Sequence, residues 1–138
     1  MAVEISGIVA IQFGCETGAV GTTPVDLGIA GNGVAGTAPL TIAMPQDGAV
    51  RGISVKLETG VAAAKTAIAG ATKGLVEGDA KINLAATATE GYAMFDKSVM
   101  PFSAGDELGV SLIGGAADSI LTQIVCATLF VQFGKSEI

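Results

Sequence analysis

The chain has 138 residues, enough for one domain that encloses a core without disulfide or metal staples. Half of it is apolar and 14% is charged, against about a quarter charged in an average soluble protein; a mean hydropathy of +0.63 then calls for a membrane span, a very large core or a surface covered by another subunit, and with aromatics at 4% a very large core is disfavoured. The net charge of −6, with no histidine and seven basic residues scattered singly, excludes the clustered basic surface that nucleic acid requires.

Met1-Ala2-Val3-Glu4 lacks the basic segment that opens a secretory leader, so none is expected. From Ile5 to Phe13 the chain alternates. Ile5, Gly7, Val9, Ile11 and Phe13 fall on one side and Glu4, Ser6, Ile8, Ala10 and Gln12 on the other, which is the period of a strand. Residues 16–38 are rich in Gly, Thr and Ala, with a short apolar patch at Val25 and Leu27. They read as a long loop or arm, a length uncommon inside a domain unless it has a task. Within it, Gly31-Asn32-Gly33-Val34-Ala35-Gly36 formally matches the dinucleotide-binding fingerprint. That motif works only between a strand and a helix whose N-terminus holds the pyrophosphate; Thr37-Ala38-Pro39 follows here, and no helical pattern ensues.

Pro39–Met44 predicts a short strand, closed by the turn Pro45-Gln46-Asp47-Gly48. Val50–Leu57 is a half-buried strand, with Ile53, Val55 and Leu57 set against Ser54 and Lys56. The alanines of Val61–Val76 would suit a helix, but Thr66, Gly70, Thr72 and Gly74 would not, and strands are favoured. Lys81–Leu84, Tyr92–Phe95 and Asp106–Ile113 are further strands, the last with Leu108, Val110 and Leu112 against Gly109 and Ser111.

Ile120–Phe133 is the most apolar segment. Leu121, Val125, Ala127, Leu129, Val131 and Phe133 occupy odd positions, and Ile120, Ile124, Cys126 and Phe130 even ones. A spanning helix needs about 20 consecutive apolar residues, and Thr122, Gln123 and Thr128 interrupt this shorter run. It is therefore read as a strand covered on both faces. In a two-layer sandwich one face of each sheet normally meets water, so the second covered face calls for a partner.

The first and last strands end alike, as Gln12-Phe13-Gly14 and Gln132-Phe133-Gly134. This suggests two antiparallel central neighbours with Ile8 facing Phe133, which would bring Cys15 near Cys126. The two cysteines match no zinc or redox spacing. Two readings stand open for them: small buried apolar side chains, or a disulfide joining the ends of the chain.

Without histidine the commonest general base at neutral pH is missing, and Ser/His/Asp and Cys/His nucleophilic systems are excluded. Glu77-Gly78-Asp79, flanked by Lys73 and Lys81, reads as a solvated turn, as does Asp106-Glu107 at the start of a strand. No calcium-loop spacing occurs. The expectation is a chain that is not an enzyme and has no cofactor, metal or small-molecule substrate.

Three blocks carry a resemblance. They are Ile42-Ala43-Met44-Pro45-Gln46-Asp47-Gly48-Ala49-Val50-Arg51-Gly52-Ile53-Ser54-Val55, then Met100-Pro101-Phe102-Ser103-Ala104-Gly105-Asp106-Glu107-Leu108-Gly109-Val110, then the closing strand Leu121–Phe133. In this order they resemble the trimeric jelly rolls of the tumour-necrosis-factor-like type, over about two thirds of the chain. Similar blocks occur in C-terminal domains of collagen-like spore-surface proteins and in phage head proteins. The chain departs from the former in having no collagen repeat, and its Gly/Thr arm looks more like a phage capsid decoration protein. That likeness implies a single all-β domain over 1–138, a two-sheet antiparallel jelly-roll sandwich that forms a homotrimer, with no catalytic residues.

On this reading the trimer interface is expected at Ile8, Ile11, Ile120, Leu121, Ile124, Val125, Leu129, Phe130, Val131 and Phe133. Contacts to the shell are expected at Glu16, Thr17, Thr22, Thr23 and Asn32. The partners would be the chain itself and a major capsid protein, with no nucleic acid and no membrane. The location would be the capsid surface of the virion, after synthesis in the host cytoplasm. The alternative is a receptor- or glycan-binding trimeric head, for which Tyr92 is the only tyrosine and tryptophan is absent.

Overall fold

The computed structural model describes residues 7–29 and 40–134. The described residues form ten strands: β1 (Gly7–Thr17), β2 (Val25–Asp26), β3 (Ile42–Ala43), β4 (Gly48–Leu57), β5 (Ala67–Lys73), β6 (Val76–Leu84), β7 (Glu90–Met94), β8 (Pro101–Phe102), β9 (Glu107–Gly114) and β10 (Gln123–Phe133). They make two antiparallel sheets. One has the order β1-β10-β4-β7, with β8 beside the start of β4; the other has the order β2-β9-β5-β6, with β3 beside the start of β9.

Alternation decides which side chains the two sheets share. Phe13, Ile53, Val55, Val125, Ala127, Leu129 and Val131 come from the first sheet, and Ala69, Ala71, Ile82, Leu84, Leu108, Val110 and Leu112 from the second; all are buried. Each fully buried Leu, Ile, Val or Phe contributes roughly 1.5–3 kcal/mol. The core closes without tryptophan because the alanines of β5 lie between the leucines of β9 and the Ile82 and Leu84 of β6.

Within the segment 61–76, Ala67–Lys73 is strand and β6 starts at Val76, while residues 62–66 form a turn and loop after a bridge at Val61. β5 and β6 are joined by the two-residue turn Gly74-Leu75, with φ of 61° and 65°. Positive φ at both positions is the type I′ geometry that matches strand twist. Leucine is a poor occupant of such a position because its Cβ crowds the backbone, and Leu75 is half exposed, so its side chain packs little. Leu75→Asn is accordingly expected to raise stability by about 1 kcal/mol, read as a higher denaturant midpoint at an unchanged slope.

Three expectations are corrected. Much of the supposed arm is built into the sandwich: β1 runs on to Thr17, Val20 bridges Ile120, β2 pairs with β9, and Ile29 bridges Phe13. Val20 and Leu27 anchor it because both are fully buried; residues 30–38 lie outside the described residues. β1 does pair antiparallel with β10, but at the edge of its sheet and shifted by one residue, with Gly7 opposite Phe133 and Ile8 opposite Gln132. That step sets Gly14 and not Cys15 opposite Cys126, and Cys126, at an outward-facing even position of β10, is an exposed free thiol rather than a buried side chain or half of a disulfide. Finally, Ile120 precedes β10 and is buried, because the segment before that strand does not continue its alternation.

Candidate functional site

The outside of the first sheet carries several exposed apolar side chains. Residues directly opposite on antiparallel neighbours share a face. The registers therefore set Ala10, Phe130, Gly52 and Met94 side by side at one level and Gln12, Thr128, Ser54 and Tyr92 at the next. A third level holds Gly14, Cys126, Lys56 and Glu90. Tyr92 is 81% exposed, Met94 63% and Ile8 53%, and Ile124 is open as well. Phe130 is half-buried.

Gly52 shapes the centre of this face. A Cβ there would lie 2.6 Å from Met94 Sδ and 3.4 Å from Phe130 Cδ2. The two side chains thus close over the glycine from either side and make an apolar ridge across β10, β4 and β7. Next to it β4 carries an extra residue, Arg51, against the step from Phe130 to Val131, a bulge of the kind that re-aims a side chain. The Arg51 guanidinium donates from Nε to the Phe95 carbonyl at 2.8 Å and from a terminal nitrogen to Gln132 Oε1. Just after β7, Asp96 is held below the ordinary carboxylate range, first by the Ser98 backbone N–H and then by its hydroxyl. Charge thus sits at the margin and apolar surface at the centre, the layout of a protein-binding face.

The residues expected at the interface divide sharply. Val125, Leu129, Val131 and Phe133 belong to the core of the single chain, as does Ile120, so they have no surface left for a partner copy. The odd positions of β10 point at the second sheet, and the even positions form the outer face. Ile8 and Ile124 are open on that outer face, Leu121 is open in the segment before β10, and Ile11 and Phe130 are half-buried. Of the expected shell contacts, Thr22 and Thr23 are exposed. Thr17 is buried and donates from Oγ1 to the Gln123 carbonyl at 3.3 Å. Glu16 pairs with Ile124 in the ladder, and Asn32, with the glycine-rich fingerprint around it, lies outside the described residues. Tyr92 and Met94 were absent from the expected interface. The signal for them was the short alternation Glu90-Tyr92-Met94 against Gly91 and Ala93. Among the described residues no three Cys, Asp or Glu side chains gather as metal ligands would.

No family model matches the chain, and no curated protein does. Among solved structures, a chain of the acid-stable capsid structure of Helicobacter pylori bacteriophage KHP30 aligns over 96% of this chain and 94% of its own length, with a TM-score of 0.50 and 9% identity. That likeness is one of fold. The crystal structure of FLHE aligns over 92% of this chain and 99% of its own, with a TM-score of 0.48 and 12% identity.

Proposed function

We propose that this chain is a structural virion protein, a homotrimeric jelly roll that decorates and reinforces a phage capsid and performs no catalysis. The observation that carries the reading is the apolar ridge of Phe130 and Met94 with Tyr92 and Ile8 around it. A surface of this kind on a chain with a net charge of −6 is costly to leave in water and favours association. The strand order supports the jelly-roll description: β1-β10-β4-β7 faces β2-β9-β5-β6, and six of the nine connections between described strands cross from one sheet to the other, as in a double Greek key. The fold likeness to a phage capsid chain supports the virion setting. In the trimer the outer faces of the first sheet turn towards the shared axis, and the exposed Thr22 and Thr23 remain free for the major capsid protein.

Light scattering on the purified protein tests this reading. The expected mass is a multiple of three chains of 13.6 kDa each, followed by co-sedimentation with empty shells. Met94→Lys places a charge in the ridge and is expected to abolish the threefold mass while leaving far-ultraviolet circular dichroism unchanged. A mass of one chain for the unmodified protein at micromolar concentration would defeat the trimer. A receptor- or glycan-binding head is the second reading, favoured by the exposure of the Tyr92 ring, a platform on which a sugar can stack. Reproducible glycan-array binding that Tyr92→Ala removes would select it.

A further inference from the structure

An edge strand offers a row of unpaired backbone groups to any strand that approaches, and proteins normally blunt such edges with charge, proline or a bulge. The long outer edge of the second sheet is blunted in this way: β6 carries Glu77, Asp79 and Lys81, with an irregularity in its pairing to β5. Edge strand β7 carries Glu90. β1 is different. Between Gly7 and Phe13 its sequence, GIVAIQF, holds no charge and no proline.

Among the described residues the outer edge of β1 is also without a partner strand before Phe13. The backbone N–H of Gly14 donates to the Gly28 carbonyl at 2.9 Å, on the side away from β10. Because successive residues of a strand direct their N–H and C=O groups to alternate sides, Ile8 and Ala10 direct theirs to the same open side. Among the described residues no strand pairs with them there. Val9 lies opposite Val131 and faces the second sheet, yet it is 37% exposed where Val131 is fully buried. Among the described residues a groove of about 570 Å³ lies here, lined by Ala10–Gly14 and 126–128 together with Ile29 and Ile42.

We infer that β1 pairs antiparallel with β1 of a second copy, joining two first sheets edge to edge. Centred on Val9, the pairing sets Ile8 opposite Ala10 of the other copy. The two residues then exchange both N–H···O bonds, once on each side of the twofold axis. This register uses the backbone groups that no described residue pairs with and stops short of Phe13, where Ile29 occupies the edge. A second copy is the occupant for an electrostatic reason. The molecule carries −6 overall, and residues 7–13 form an uncharged strip where two copies meet without setting acid against acid. The contact is made by the backbone edge of β1 and not by the ridge of Phe130 and Met94, so the three edges of one trimer would pair with the three of a second and gain from avidity.

Ala10→Pro is the discriminating change. The N–H it removes points away from β10, so the ladder inside the chain survives, and proline is tolerated on an edge strand in that orientation. Val9→Lys, on the face away from the trimer ridge, would set two like charges opposite each other on the twofold axis and is the second variant. In concentrated solution the unmodified protein is expected to show twice the light-scattering mass of either variant, and hydrogen exchange at the Ile8 amide is expected to be slow in the parent and fast in Ala10→Pro. The trimer is scored independently. With both contacts present the masses are six chains for the parent, three for Ala10→Pro and two for Met94→Lys. If only the edge contact exists they are two, one and two. Equal masses for parent and Ala10→Pro, with rapid exchange at Ile8 in both, overturn the pairing whatever the state of the trimer.

Discussion

Replacing Leu129 by alanine is expected to lower folding stability by about 2–5 kcal/mol, the range for removing a large buried aliphatic side chain. Leu129 is fully buried near the middle of β10, with Ile11 opposite it on one neighbouring strand and Ile53 on the other. All three point towards the second sheet. Neither neighbour can move in to fill the space, because each is held in a ladder that β10 itself joins, so the cavity stays open and its cost adds to the lost transfer energy. Denaturant unfolding at one fixed protein concentration gives the number. Concentration must be held because subunit association contributes to apparent stability. A midpoint shift with the slope unchanged is the expected form. A loss below about 1 kcal/mol would mean that Leu129 is not a core residue of the single chain, and that the division of β10 into inner and outer positions is wrong.

That division shows where sequence alone stopped being informative. Strand and face were legible in β4 and β9, where Ile53, Val55 and Leu57, or Leu108, Val110 and Leu112, alternate with small or polar residues. β10 offered no such contrast. With Ile124, Cys126 and Phe130 between the core positions, either side could have been the inner one, and the expected interface mixed residues from both. What settles the matter is the partner sheet, which covers the odd positions only. The register of β1 failed for a related reason. Matching Gln-Phe-Gly at the two strand ends suggested Ile8 against Phe133, but the ladder sets Gly7 there, and a shift of one residue exchanges the two faces.

Residues 18–29 looked like an arm because Gly and Thr dominate and no period appears. Their attachment rests on single residues, Val20 and Leu27, each entering the core from a bridge or a two-residue strand. Isolated anchors of this kind have no periodic signature. The Gly74-Leu75 turn was hidden too, because leucine gives no hint of a positive φ. The outer ridge was half legible. Phe130 stood in the expected interface, but the approach of Phe130 and Met94 over Gly52 depends on that glycine being bare, a relation between three strands that no local pattern encodes.

Gln123→Met is expected to destabilise the fold by about 3–5 kcal/mol, although methionine nearly matches glutamine in size, because several buried polar groups lose their partners together. Gln123 opens β10 and is 3% exposed. Its Oε1 accepts from the N–H groups of Thr59 at 2.7 Å and Gly60 at 3.1 Å, and its Nε2 donates to the Gly60 carbonyl at 3.0 Å. One side chain therefore satisfies three backbone groups of the bend that follows β4. The bend cannot turn them to water without coming apart. Gly60 has a φ of 91°, and the Ala88 carbonyl oxygen lies 2.8 Å from where its Cβ would be, so the backbone there is already pressed against the next loop. Methionine leaves all three groups unpaired, each at a cost of about 1–3 kcal/mol. Gln123→Glu keeps the acceptor for both N–H groups and, when protonated, a donor for the Gly60 carbonyl, so its loss should be smaller at acid pH than at neutral pH, where a buried carboxylate oxygen would face that carbonyl. Hydrogen exchange locates the effect: the Thr59 and Gly60 amides should be slow in the parent and fast in Gln123→Met, while Leu57, whose N–H donates to the Thr89 carbonyl at 2.7 Å, should change little. Unchanged exchange at Thr59 and Gly60 would mean that the bend is held by something other than Gln123. The start of β10 would then not be what fixes this end of the sandwich.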